Sequence, residues 1–221
     1  MRPPSTFLRP GKIKRLKIRE PISLNGHPRT SVSLKPLTSE SGPQAPQRLS
    51  TTAALWFYGV LACLAVLAGR YTSTPLSLYA ETTGLIQAIG LGMAAGILTL
   101  VLWDLASKHL KSLRSLWALL QTLLGQKTLG AVLMLALFSS VAEELLFRGV
   151  MQANIGIVAT SIIFGLLHKQ PNTYIGVWSI FAILAGFIFG FLYQWSGGLL
   201  APTLAHFLIN AVNLYRLTRD K

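Results

Sequence analysis

The sequence predicts an all-α fold, a polytopic transmembrane helix bundle of about six spans with one additional amphipathic helix at the membrane interface. Two observations carry this prediction. The first is composition, because 52% of the 221 residues are hydrophobic and only 12% are charged, whereas soluble domains carry about 25% charged residues. The second is order, because the apolar residues fall into long runs separated by short polar or basic segments, as membrane helices of about 20 residues require.

Residues 1–50 differ from the rest of the chain. They hold ten of the 20 lysines and arginines, many Ser, Thr and Pro residues, and only Glu20 and Glu40 as acids. Without apolar periodicity, this composition predicts a disordered basic tail. Three roles stay open for it, namely a cytoplasmic tail that contacts anionic lipid, an organellar transit peptide and a regulatory docking segment. Residues 51–221 are the predicted membrane domain.

Six apolar runs follow the tail, and each has the composition of a membrane helix, although the fourth is short. The runs comprise residues 53–69, 84–103, 129–153, 155–168, 175–193 and 197–215, with a polar turn at 170–173. Two GxxxG pairs, Gly92 with Gly96 and Gly186 with Gly190, predict close helix packing rather than chemistry.

The stretch from residue 104 to 127, between the second and third runs, has a different pattern. Lys108, Lys111 and Arg114 alternate there with leucines and Trp117. Basic residues mixed with leucine and tryptophan at helical spacing are typical of an amphipathic helix that lies in the membrane interface. We therefore expect this helix on the basic face of the membrane.

The net charge of +13 would suggest nucleic-acid binding in a soluble protein, but no motif of interleaved basic and aromatic residues supports that function. The distribution of the positive residues instead predicts orientation, since basic loops stay on the cytoplasmic side. We expect both termini to be cytoplasmic, in a bacterial plasma membrane or a thylakoid membrane. Besides the tail, the predicted cytoplasmic segments hold Lys108, Lys111, Arg114, Lys127, Lys169, Arg216, Arg219 and Lys221, against Arg70 and Arg148 elsewhere.

Two adjacent carboxylates, Glu143 and Glu144, lie in the third apolar run, although the chain has only seven acidic residues. A charge near the bilayer centre costs roughly 3 kcal/mol or more, so an intramembrane ionisable group indicates a functional site. Arg148 follows Glu144 by four residues and shares its helix face, whereas Glu143 points about 100° away. The structural alternative is a solvated helix end with a surface ion pair.

Two later runs carry histidines. His168 ends the fourth run, and His206 lies near the middle of the sixth, with Asn210 one turn later on the same face. If the third and fourth runs form a hairpin that turns near residues 154–156, Glu143 lies about 15 Å before the turn and His168 about 18 Å after it. We therefore expect all three patches at one depth, although an interfacial histidine and an interhelical hydrogen bond are alternatives for the last two.

These residues match three motifs in order on three predicted membrane helices. They are EExxFR at residues 143–148, FxxxH at 164–168 and HxxxN at 206–210. In this combination, residues of about 115–215 resemble the CAAX prenyl protease type II and bacteriocin-processing family of intramembrane peptidases, whose bacterial branch is often called the abortive-infection family. The resemblance implies a membrane endopeptidase that acts on a peptide or membrane-protein substrate.

The resemblance also implies roles for the residues. Glu143 with His168 would position and deprotonate the attacking water, and Arg148 would hold Glu144 through a charge-assisted pair. His206 with Asn210 would donate hydrogen bonds to the tetrahedral oxyanion.

The family mechanism exists in two versions, one with a divalent metal such as zinc and one without a metal. The HExxH spacing of zincins is absent. The residues available as metal ligands are Glu143, Glu144, His168 and His206.

Two other functions are compatible with the same residues. One is a non-enzymatic scaffold or immunity factor that binds a partner, and the other is a proton-coupled transporter that uses Glu and His as a relay. The transporter is disfavoured because the halves show no inverted repeat and no matching pair of broken helices. The sequence does not give the substrate or the oligomeric state.

Overall fold

The computed structural model describes residues 48–169 and 176–219, and these residues are helical without any strand, which confirms the predicted all-α bundle. The basic tail up to residue 47, the polar turn at 170–173 and Lys221 lie outside the described residues. The helices are α1 (Thr51–Tyr71), α2 (Leu85–His109), α3 (Lys111–Leu124), α4 (Leu129–Glu144), a π-helical segment (Leu145–Gln152), α5 (Ala153–Leu167), α6 (Val177–Ser196) and α7 (Leu200–Arg219).

Among the described residues, four helices are long and apolar enough to cross a membrane, which is fewer than the six spans predicted. They are Thr51–Tyr71, Leu85–His109, Leu129–Leu167 and Val177–Ser196. The difference has two sources. First, Leu129–Leu167 counts as one helix, whereas the sequence predicted two runs in this region. Second, α7 is polar because it contains a histidine, asparagines and arginines.

The 39-residue helix is folded back on itself at Gly156, as the predicted hairpin requires. Gly156 has φ 79° and ψ 167°, which is not helical and is a conformation that glycine alone adopts readily. In an unbroken helix Glu143 and His168 would lie about 38 Å apart. Their side chains are 3.9 Å apart, so the chain reverses between them. The residues after the break, however, form a helix too short to span a bilayer core of about 30 Å.

Helix α7, which carries His206, is held by close contact with α2. A Cβ atom on Gly92 would lie 2.6 Å from the carbonyl oxygen of Ala201, and one on Gly96 would lie 3.2 Å from that of Ala205. The predicted role of this GxxxG pair in helix packing is therefore confirmed. Because a side chain at Gly92 would collide with the α7 backbone, the pair keeps α7 close to α2 and so helps to place the His206 side chain.

The loop between α1 and α2 fixes the turn between α6 and α7. The amide groups of Leu199 and Leu200 donate to the carbonyl oxygens of Ser77 and Leu78, at 2.9 and 2.8 Å. These bonds satisfy backbone groups at the start of α7 that a helix leaves without internal partners. The loop thus sets where α7 begins along the chain and hence the depth of its polar residues.

Helix α3 is amphipathic, as predicted. Two of its buried residues, Leu113 and Leu116, pack against Trp103 of α2, while Lys111 and Arg114 are exposed. Arg114 donates to the carbonyl oxygen of Lys108 at 2.9 Å, which ties α3 to the end of α2. That α3 lies in the membrane interface stays a prediction.

Candidate active site

One carboxylate and two imidazoles from three different helices converge in the structure. The Oε2 atom of Glu143, in the last turn of α4, is 3.9 Å from Nε2 of His168 and 3.9 Å from Nε2 of His206. Glu143 is buried, and its Oε2 atom has no hydrogen-bond partner among the described residues. The predicted convergence of the three polar patches is therefore observed.

The tautomer of His168 follows from its second nitrogen. Its Nδ1 atom lies 2.7 Å from the carbonyl oxygen of Phe164. A carbonyl oxygen only accepts, so Nδ1 carries the proton and Nε2 presents a lone pair to Glu143. The FxxxH spacing supplies this bond, because α5 ends at Leu167 and the His168 amide donates to Gly165, which leaves the carbonyl oxygen of Phe164 to the imidazole.

The same reasoning applies to His206, whose partner is the second glutamate. Nδ1 of His206 lies 2.8 Å from Oε1 of Glu144. A buried carboxylate accepts this bond, so Nδ1 is protonated and Nε2 faces Glu143 with its lone pair. The ring also stacks on Phe189, with centroids 4.8 Å apart. Carboxylate and aromatic ring together fix the orientation of the imidazole.

Glu144 lies at the centre of a buried polar chain. Its Oε2 atom accepts from Nε of Arg148 at 3.1 Å, and the side chains of both residues are 0% exposed. Arg148 contacts Oε1 of Gln152 at 3.4 Å, and Gln152 donates to the carbonyl oxygen of Gly190 at 3.0 Å. The predicted pairing of Glu144 with Arg148 is present, and Gln152 and the His206 contact extend it.

The pair is built on an unusual backbone. Residues from Leu145 to Gln152 form a π-helix, a rare conformation that in proteins is concentrated at functional sites. Arg148 and Phe147 are buried in this segment, and the Phe147 ring packs edge-on against Phe164 with centroids 4.9 Å apart. The aromatic contact joins the π-segment to α5 and so supports the approach of His168 to Glu143.

Asn210 is close to the site but is bound to a residue that sequence reasoning missed. Its Nδ2 atom donates to Oγ of Ser139 at 2.9 Å. Ser139 precedes Glu143 by one helical turn on α4, and both line the same cavity together with His168, His206 and Asn210. Asn210 therefore lies within the predicted group of polar side chains, on the side of Glu143 that faces α7.

A second missed residue, Tyr58, comes from α1. Its hydroxyl lies close to the Glu143 carboxylate, and its side chain lines the same cavity. Nothing in the sequence indicated this, because a tyrosine in an apolar run resembles any other membrane aromatic. The sequence did indicate Ser139 and Gln152, since Ser139 precedes Glu143 by four residues and Gln152 follows Arg148 by four.

The polar group lies in a cavity of about 560 Å³ whose walls are otherwise mostly apolar and aromatic. Leu49, Leu120 and Leu124 line it at the end of the bundle where basic residues such as Arg48 and Lys127 lie. The Lys127 ammonium donates to the carbonyl oxygen of Leu49 at 3.1 Å. Desolvation by burial, together with the neighbouring Arg48, lowers the pKa of Lys127. The aromatic and apolar wall residues also include Phe57, Trp103, Trp117, Trp178 and Phe181.

The predicted metal ligands meet, but their arrangement does not fit an ion. Glu144 is committed to Arg148 and His206. The 3.9 Å separations from Glu143 to the histidines exceed the roughly 3.4 Å between ligand atoms of a tetrahedral zinc site with bonds of about 2.1 Å. Accordingly, the part of the chain that the structure describes contains no group of three or more potential ligands suited to a metal. Metal analysis of the purified protein tests the metal-dependent version of the mechanism that the resemblance implied.

Comparison with known proteins identifies the region that carries this site. Residues 125–212 match the model of the family described as type II CAAX prenyl endopeptidase Rce1-like. The matched segment includes all three motifs, so the resemblance predicted from them is confirmed. Residues before 125, including α1 with Tyr58, lie outside the match.

One relative is the uncharacterized protein YpbD of Bacillus subtilis (strain 168). It is 38% identical over 90 residues, which are 40% of this chain and 46% of the relative. The match thus spans about half the length of that curated relative. No solved structure matches the chain.

Proposed function

We propose that this chain, whose residues 125–212 are similar to type II CAAX prenyl endopeptidases, is an intramembrane endopeptidase that hydrolyses a peptide bond with a water activated by Glu143 and His168. One observation carries the proposal. The buried Oε2 atom of Glu143 has no partner among the described residues and faces the lone pairs of two imidazoles. Three acceptors that face one point suit a water molecule, which supplies two protons.

In the proposed reaction, the water donates to Glu143 and to Nε2 of His168 and attacks the carbonyl carbon of the peptide. The water proton passes to this carboxylate–imidazole pair, which acts as the general base. The new C–O bond gives a tetrahedral oxyanion. The C–N bond then breaks, the proton is returned to the leaving nitrogen, and the products are a carboxylic acid, which keeps the second water proton, and an amine.

His206 and Asn210 are the proposed partners of the oxyanion. The Nδ1 proton of His206 is bound by Glu144, so His206 donates from Nε2 only after Nε2 has received the water proton from Glu143, 3.9 Å away. The buried carboxylate of Glu144 stabilises the resulting imidazolium. Asn210 has a second amide hydrogen on Nδ2 besides the one bound by Ser139. The Asn210 amide is oriented before the reaction, so it stabilises developing charge without reorganisation.

The cavity suits an apolar stretch of a peptide or membrane protein as the substrate. Its walls are aromatic and aliphatic, and its polar groups are concentrated around Glu143. The basic residues at the end of the bundle near Leu49 support a cytoplasmic entrance and cytoplasmic termini. The host membrane is bacterial or thylakoid in this proposal, and the oligomeric state is open.

Hydrolysis is tested by product analysis rather than by loss of substrate alone. The full chain, purified and reconstituted in vesicles, is incubated with a library of apolar peptides in water enriched in ¹⁸O, and the products are identified by mass spectrometry. We expect cleavage with one ¹⁸O atom in each new carboxyl group. Absence of cleavage across the library and in membranes of the host would contradict the proposal.

The two alternatives make different predictions. A scaffold or immunity factor would retain full biological activity after Glu143→Ala and His206→Ala. A proton-coupled transporter would accumulate a solute in proteoliposomes under a pH gradient. The endopeptidase loses its activity in both variants and accumulates no solute.

A further inference from the structure

We propose that Ser139 is a positioning residue that fixes which way the Asn210 carboxamide faces and so makes an amide hydrogen available to the oxyanion. The inference rests on the proposed function, in which Asn210 is an oxyanion donor. Ser139 belongs to none of the three motifs. It lies on α4, whereas Asn210 lies on α7, 71 positions later.

The Ser139 hydroxyl has one proton, and the structure shows where that proton is used. Oγ of Ser139 donates to the carbonyl oxygen of Ala136 at 3.2 Å. With its proton committed, Oγ acts toward Asn210 as an acceptor. The amide must therefore turn its NH₂ group toward Ser139, at 2.9 Å, because the opposite orientation would bring two acceptor oxygens together.

This bond leaves the second hydrogen of Nδ2 free for a substrate. Ser139 and Glu143 are one helical turn apart and therefore share a face of α4, and both line the cavity with Asn210. The general base and the support of the oxyanion donor thus project from one rigid helix. Without Ser139, nothing shown in the structure prevents the carboxamide from rotating by about 180° and presenting its oxygen, which would repel an oxyanion.

The next residue of α4 provides a matched control. Ser140 is also buried, and its hydroxyl donates to the carbonyl oxygen of Leu137 at 3.1 Å in the same way. Ser140→Ala therefore removes the same group at the same depth without changing the contact to Asn210. Ser139→Thr retains the hydroxyl and is the conservative variant that should restore function.

The kinetic test is a double-mutant cycle of Ser139→Ala and Asn210→Ala with a cleaved peptide. We expect Ser139→Ala to lower kcat about tenfold with little change in KM, within the range of a coupled pair. In the Asn210→Ala background, the same substitution should have no further effect. Ser140→Ala and Ser139→Thr should keep kcat near that of the wild type. An equal loss from Ser139→Ala in both backgrounds would overturn the inference.

A second readout keeps the inference distinct from the proposed function. In ¹⁵N-labelled protein in micelles, the side-chain amide of Asn210, identified by its loss in Asn210→Asp, should show one hydrogen protected from exchange. Ser139→Ala should remove this protection, while Ser140→Ala should retain it. Unchanged protection in Ser139→Ala would overturn the inference even if the wild type cleaved peptides. A wild type that cleaves nothing would overturn the proposed function and, with it, the role in the oxyanion site, while the amide signal would still test the orientation.

Discussion

Nδ1 of His206 lies 2.8 Å from Oε1 of Glu144, although 62 positions separate the two residues. The contact gives the adjacent glutamates of the motif separate tasks. Glu144 faces away from the cavity, where Arg148 neutralises it and His206 donates to it. Glu143 faces the cavity and presents an oxygen without a partner among the described residues. Adjacent residues of a helix point about 100° apart. One motif therefore places Glu144 in the buried polar chain and Glu143 at the cavity.

The first prediction concerns the buried ion pair. Arg148→Met removes the cation while Glu144 stays fully buried, and an uncompensated buried charge costs about 3–5 kcal/mol. We expect a large loss of thermal stability in micelles and poor accumulation in membranes, measured by tryptophan fluorescence and by quantitative blotting. Arg219→Met, at an exposed position, is the control and should be neutral. Equal melting temperatures for the two variants would disprove the importance of the pair.

The second prediction concerns the reversal at Gly156. Its φ of 79° is strained for any residue with a Cβ atom, at a cost of roughly 1–3 kcal/mol. No atom of the described residues lies within 4 Å of a Cβ added there, so the cost of Gly156→Ala is that of the backbone alone. We expect lower stability and lower activity, since the turn brings His168 to Glu143. Thermal unfolding in micelles and peptide cleavage rates measure the two effects.

Gly130→Ala is the matched control for that substitution. Gly130 lies in α4, and a Cβ added to it would likewise meet no atom within 4 Å in the part of the chain that the structure describes, but its backbone is helical. There alanine is favoured over glycine by about 1 kcal/mol. A Gly156→Ala variant as stable and active as Gly130→Ala would show that the reversal does not depend on glycine.

The third prediction concerns the contact from α1. Tyr58→Phe removes only the hydroxyl that lies beside the Glu143 carboxylate. We expect a loss of about tenfold in kcat, because a hydrogen bond from this hydroxyl to the carboxylate would contribute about 1.5–3 kcal/mol. Tyr71→Phe, at an exposed position of the same helix, should have the activity of the wild type. Peptide cleavage rates measure the activity of both variants. Equal rates would show that the Tyr58 hydroxyl does not contribute to the site.

The fourth prediction concerns metal. Since the distances from Glu143 to the two histidines are too long for shared ligation of one ion, we expect purified active protein to contain much less than one zinc atom per chain. Dialysis against EDTA should leave peptide cleavage unchanged. Stoichiometric metal that is lost together with activity on dialysis, and restored with it by zinc, would contradict this prediction.

The sequence predicted the parts of this structure that depend on helical geometry. Spacing and rise alone indicated that Glu143 and His168 share a depth, because a hairpin near residue 156 makes their distances from the turn similar. The pairing of Glu144 with Arg148 followed in the same way. In both cases the residues belong to neighbouring segments, so local geometry determines the contact.

The remaining contacts depend on how α1 and α7 are rotated about their own axes, which the sequence pattern does not fix. The partner of Asn210 follows from the close approach of α7 to α2 at Gly92 and Gly96. Tyr58 reaches Glu143 only because α1 packs beside α4. The π-helical segment is a change in backbone hydrogen bonding that leaves the order of apolar residues unaltered, and so it had no signature in the hydrophobic pattern.

The most direct measurement compares peptide cleavage by Glu143→Gln and by Glu81→Gln. Both substitutions remove one negative charge and keep the shape of the side chain, but Glu81 is exposed in the loop before α2. General-base catalysis contributes about 10²–10⁴ in rate, so Glu143→Gln should lower kcat at least about 100-fold while its thermal stability and membrane insertion stay near those of the wild type. Glu81→Gln should cleave normally. Cleavage by folded Glu143→Gln at the rate of Glu81→Gln would contradict the central claim that Glu143 activates the attacking water.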